Sequence, residues 1–182
     1  SVSESIILNL ISNNKSVDKL NKGEEGVIIL NQTPFYGESG GQVGDNGYLQ
    51  NENFEFNVKN TTKIFGNYHL HWGHVIKGSC NKGDVLEAYI DYKRRHLIKC
   101  NHSSTHLLHS ALRKVLGNHV SQKGSLVNDE KLRFDFSHND IIAEENLKNI
   151  ELLVNKIIKQ KSLVQIEIQD HNVAVNSGAI AL

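Results

Sequence analysis

Three histidines fall within eight positions of the segment NHSSTHLLHS, residues 101–110, with no charged residue among them. On a helix, at about 100° per residue, His102, His106 and His109 share a sector of roughly 60°. Leu108, Ala111, Leu112, Val115 and Leu116 fill a wide neighbouring apolar sector. The pattern describes a helix buried over much of its circumference, with one imidazole face opening to a cavity. Histidines at i and i+4 point the same way one turn apart and can hold one Zn²⁺. The same spacing also suits satisfied core histidines, so two readings stand. The residues between decide against one enzyme class. A zinc protease of the HExxH type needs Glu directly after the first His as general base, and Ser103 stands there. A zinc site takes about four ligands, or three and a water. His102 and His106 supply two, and His109, Cys100, His138 and His171 are the other candidates. Cys100 lies about 200° from His102 around the helix and cannot join without breaking it. The remaining ligands are expected beyond Leu182.

The second chemical feature is the loop GESGGQVGDNG, residues 37–47, with five glycines in eleven positions. It lacks the Lys of a phosphate loop and sits among strands, so no helix N-terminus faces an anion. Its glycines serve tight turns and close backbone approach. Gly40 and Gly41 are either structural or part of the wall of the histidine cavity. Thr105 and Gln122 are polar residues of interest near the histidines. Thr105 can bond back to its own helix, and Gln122 can be a solvated loop amide. Arg94, Arg95 and Lys99 form a local basic patch that either grips phosphates or is a solvated helix start. His69, His71 and His74 lie in a strand, but His74 has the opposite parity, which argues against a metal site. Phe134 and Phe136 read as core, and Asp135 between them as a surface or supporting carboxylate.

These side chains need elements to position them. Residues 1–23 read as a connector, a short helix with Ile6, Ile7, Leu10 and Ile11 on one face, then a link. Residues 24–90 read as a small β-barrel or sandwich: GVIILNQTPF, FEFNV, YHLHWGHVI and DVLEAYID have strand character and are divided by Gly and Asn turns. Residues 91–182 read as an α+β layer. A first helix spans Tyr92 to Leu116 and stops at Gly117; a second spans Glu144 to Gln160. LRFDF and LVQIEIQ alternate as strands do. The fold class is therefore α+β, an N-terminal β-barrel followed by a two-layer core.

The whole chain sets the bounds. It has 182 residues, 38% apolar and 22% charged, with 20 basic against 20 acidic side chains. Net neutrality leaves no global footprint for nucleic acid, so RNA contacts must come from local patches such as Lys93, Arg94 and Arg95. No apolar run of about 18 residues exists to span a membrane, and the N-terminus has no signal-peptide pattern. Cys80 and Cys100 make no disulfide framework; both read as small buried hydrophobes in a reducing compartment. Met is absent, and the chain stops in an apolar run. A piece of a longer protein is the expectation.

TPFYGESGGQVGDNG together with NHSSTHLLHSALRKVLGNHVSQKGSLVNDEKLRFDFSH resembles the editing domain of alanyl-tRNA synthetase. The resemblance runs from about Gly26 to Leu182, with both motifs in the family's order. Free-standing alanyl-tRNA editing proteins share both, and threonyl-tRNA synthetase editing domains share the second more loosely. The resemblance implies hydrolysis of the ester linking serine or glycine to tRNA(Ala), within a cytoplasmic, ATP-binding ligase. It implies a β-barrel followed by an α/β core. It implies one zinc ion on His102 and His106, with a Cys and a His from a later CxxxH. It places Thr105 at the hydroxyl of the substrate side chain and Gln122 in the editing pocket; both are carried as catalytic and substrate-binding candidates. The acceptor end of tRNA(Ala) and the remainder of the synthetase chain are the implied partners. This sequence contains no CxxxH, so half of the implied zinc site is missing and the chain alone is expected to bind zinc poorly and edit little. The competing expectations are a free-standing editing deacylase and a non-catalytic tRNA-binding module without metal.

Overall fold

The computed structural model describes residues 2–66, 68–163 and 168–177. The chain divides into two compact units: Ser1–His102 with Leu126–Leu132, and Ser103–Ser125 with Arg133–Leu182. Among its described residues the first unit contains β1 (Val2–Ser12), β2 (Lys15–Val17), β3 (Lys19–Asn21), β4 (Glu25–Leu30), β5 (Gly47–Asn51), β6 (Phe54–Ile64), β7 (Tyr68–Lys77), β8 (Ser79–Asn81) and β9 (Val85–Ile90). One sheet runs β2-β1-β4-β7-β6-β5-β9, and β1 also pairs with β9. That last pairing closes six strands into a barrel and removes the open edges that would invite foreign strands. β3 and β8 make a separate two-stranded sheet. The barrel core is Ile7, Leu10, Ile28, Leu49, Phe54, Phe56, Val58, Val75, Leu86 and Ala88 with their neighbours.

The first residues are a strand rather than the connector helix expected of residues 1–23. β1 pairs with β4, β9 and β2. A register shift between Ile7 and Asn9 explains the misreading. Before it Ser5 and Ile7 face inward; after it Leu10 does. The extra residue turns a period of two into an i, i+3 spacing that imitates a helix. Asn13 and Asn14, with φ of 50° and 60°, then make the tight turn into β2. A second shift lies between Val58 and Asn60 in β6. It switches the inward positions from Phe54, Phe56 and Val58 to Thr61, which is fully buried.

Helix α1 (Tyr92–Leu116) begins in the first unit and ends in the second. Asp91 caps it, its carboxylate accepting the Arg94 amide at 3.0 Å, and Gly117 ends it at φ 116°. The second unit adds β10 (Gln122–Val127), which continues into the first, β11 (Leu132–Phe136), α2 (Glu144–Gln160) and α3 (His171–Asn176). Its core gathers Ala111, Leu112, Val120 and Ile150, with Leu108, Val115, Phe134, Phe136, Leu153 and Val154 packed around them. Both long helices have the bounds the sequence indicates. The strand expected at LVQIEIQ falls mostly on residues 164–167, outside the described residues. Among the described residues no helix is long and apolar enough to cross a membrane.

Candidate functional site

The Gly-rich loop is built around one tight turn. Ser39 and Gln42 exchange backbone hydrogen bonds at 3.2 and 3.0 Å. Gly40 and Gly41 between them have φ of 57° and 81°. Left-handed backbone at both central positions is what a type I′ turn demands and what glycine permits. The chain leaving the turn runs beside the end of β10: Val127 N–H donates to Gly41 O at 2.8 Å, and Val43 N–H to Val127 O at 3.0 Å. Gly44 then passes so close to β6 that a Cβ there would sit 1.9 Å from Thr61 O.

Asp45 fixes the far side of the loop. It is 2% exposed. Its carboxylate accepts the Tyr36 amide at 2.7 Å and Arg95 Nε at 2.8 Å, and Arg95 Nη2 bridges Asp45 Oδ2 and Pro34 O. The Asp45 carboxylate hydrogen bond in turn raises the pKa of the Arg95 guanidinium. Arg94 donates to Gly44 O at 2.9 Å and pairs with Asp129 at 3.0 Å. Both arginines, expected as phosphate grips or as a solvated helix start, are half-buried clamps between α1 and the loop. Lys99 and Lys93 are exposed.

The loop reaches the histidine helix through Gln42, which is 8% exposed. Its Oε1 lies 2.6 Å from His102 Nδ1. An amide oxygen only accepts, so Nδ1 is the donor, and in the neutral ring Nε2 is the nitrogen with the lone pair. His102 and His106 are both exposed, four residues apart on α1. Thr105 is buried at 7% exposure. His109 parts from the other two histidines: it is 6% exposed, its ring 5.2 Å from Phe134. It sits at the edge of the imidazole sector nearest the apolar stripe, and the second core takes it. Its Nε2 has no hydrogen-bond partner among the described residues. Gln122 opens β10, half-buried.

Of the other ligand candidates, the side chain of His171 lies outside the described residues. Cys100 is exposed, not buried as expected, with its sulfur 3.8 Å from His96 Nε2. Cys80 is buried as expected, and burial pushes its thiol up to about 12. His138 stacks on His119 with 2.9 Å between ring nitrogens. His71 is fully buried, donating from Nδ1 to Ile28 O at 2.9 Å and meeting Thr33 Oγ1 at 2.8 Å through Nε2. Among the described residues no group of three or more His, Cys, Asp and Glu side chains gathers to hold a metal. The residue that sequence reasoning missed is Gln42. Its only signal was an amide directly after two adjacent glycines.

Residues 2–94 match the family model for tRNA synthetases class II (A). The chain is also 51% identical, over 176 residues, to an alanine–tRNA ligase of Pseudomonas fluorescens. That match covers 97% of this chain and 20% of the relative, so the chain spans about a fifth of the relative's length.

Proposed function

The chain belongs to the class II (A) tRNA synthetases, and on that premise we propose that it is the editing part of an alanine–tRNA ligase. In this reading it hydrolyses the ester of serine or glycine wrongly attached to tRNA(Ala). The observation that carries the reading is the pair His102 and His106, exposed on one helix, with the Nδ1 of His102 bonded to Gln42 Oε1.

The donor set fits zinc. Metal-bound histidine typically gives its other ring N–H to an oxygen acceptor, which is the arrangement of His102 with Gln42. His102 and His106 would supply two ligands of a zinc ion, and a complete set would need ligands beyond them. When bound, the zinc supplies a Lewis acid beside the ester or a fixed point for the substrate amine. The chain's own residues supply the rest. Thr105, next to His106, offers a hydroxyl to the serine side chain. Gln122 orients water or holds the ester carbonyl. Lys99, exposed on α1 while Arg94 and Arg95 are engaged by the loop, takes a phosphate of the acceptor end.

The chemistry answers a physical problem. A synthetic site that admits alanine rejects an analogue with one added hydroxyl poorly, by about 10² in a comparable case. A second site that rewards the hydroxyl discriminates the other way, because alanine leaves its polar groups unpaired.

The test measures serine release from Ser-tRNA(Ala), with Ala-tRNA(Ala) as control, and zinc content. It compares this chain with a longer form reaching the next CxxxH. The longer form is expected to hold zinc and free serine but not alanine, and His102→Ala is expected to abolish both. A longer form that holds no zinc and frees nothing leaves a tRNA-binding module with structural histidines.

A further inference from the structure

We propose that Gln42 is a positioning residue for His102, and that the Gly-rich loop exists to present it. The loop makes no sense as a phosphate cradle, yet backbone pairing and two arginines anchor it. Each anchor converges on the placement of one carboxamide. The turn at Gly40 and Gly41 sets the backbone direction of Gln42. The pairing of Gln42 and its neighbours with Val127 fixes its height along β10. Arg94 and Arg95 tie Gly44 and Asp45 to the same helix that carries His102. The helix thus holds the loop, and the loop holds one imidazole of the helix.

The consequence is chemical. With Oε1 accepting at 2.6 Å, the neutral His102 ring is the Nδ1–H tautomer. Nε2 is left as the nitrogen with a lone pair, and the hydrogen bond fixes the ring's orientation. An amide oxygen does this without adding charge, whereas a carboxylate in the same place would add one. The consequence for metal affinity rests on the zinc reading above; the tautomer does not.

The experiment records two-bond ¹H–¹⁵N correlations of the imidazole rings in the metal-free 182-residue chain, at a pH above the usual histidine range of about 6.5. His102→Asn identifies the His102 signals by their loss. The expected result is Nδ1–H as the dominant His102 tautomer, shifting toward Nε2–H in Gln42→Leu. Nε2–H as the dominant form in the unsubstituted chain overturns the proposal without any variant at Gln42, whether or not Gln42→Leu folds. A tautomer that does not change in a folded Gln42→Leu chain overturns it as well. In the longer form, Gln42→Leu is expected to weaken zinc binding by roughly tenfold to a hundredfold, the usual cost of losing such a partner. Equal zinc affinity in both forms overturns the metal-related part. Absence of zinc from both, with the tautomer shift intact, refutes the zinc reading while the positioning role of Gln42 stands.

Discussion

In the editing function proposed above, Thr105 is the residue on which serine specificity turns. It is 7% exposed and immediately precedes His106, so its hydroxyl has little solvent to bond. Valine keeps its branched shape and removes only the hydroxyl. Thr105→Val is therefore expected to lower kcat/KM for Ser-tRNA(Ala) by about fivefold to tenfold in the longer form, the loss of one hydrogen bond, while leaving zinc content unchanged. If the hydroxyl only bonds back to its own helix, the variant edits serine at the unsubstituted rate and specificity must come from another residue.

At the scale of elements, the Gly-rich loop and the start of α1 form one unit through Asp45 and Arg95. The Asp45 side chain is 3% exposed and that of Arg95 24%. Arg95→Met leaves a buried carboxylate with its main cationic partner gone, and the expected loss is roughly 3–5 kcal/mol of stability to urea. Adding Asp45→Asn is expected to recover part of it, because the double variant no longer buries a charge. A double variant as unstable as the sum of the two singles would show that the pair is not coupled. How legible these elements were depended on where their information lies. The bounds of α1 and α2 follow from local periodicity and from Gly117. The strands of residues 24–90 follow from alternation and turn residues. β1 was not legible because its bulge hides the alternation, and its partners β4 and β9 lie far away in sequence. The clamp role of Arg94 and Arg95 and the contact of Gln42 with His102 were hidden for the same reason: each depends on a pairing more than forty residues long in sequence, which no local pattern records.

At the scale of the whole molecule, the two units carry separate cores, and the first carries a built-in acid sensitivity. His71 is 0% exposed in the barrel wall, edge-on to Phe35, with both ring nitrogens engaged. Burial lowers its pKa to about 4. The unfolded chain takes a proton on this residue below about pH 6.5, and the folded barrel does so only near 4. Protons then favour the unfolded state, so stability is full above the unfolded value and falls as pH drops through the window between the two. From pH 7 to pH 5 the loss from His71 alone is about 2 kcal/mol. Trp72, the single tryptophan, is its immediate neighbour, and its indole N–H donates to Thr62 at 2.8 Å. Its fluorescence therefore follows the barrel itself rather than the second core. Urea unfolding followed at Trp72 should show the lower stability at pH 5. His71→Asn, which keeps an N–H for the Ile28 carbonyl and removes the titration, should be less stable at pH 7 but lose most of the difference between the two pH values. If the variant keeps the full difference, the acid sensitivity of the barrel arises from its carboxylates, and His71 is only a well-packed neutral ring.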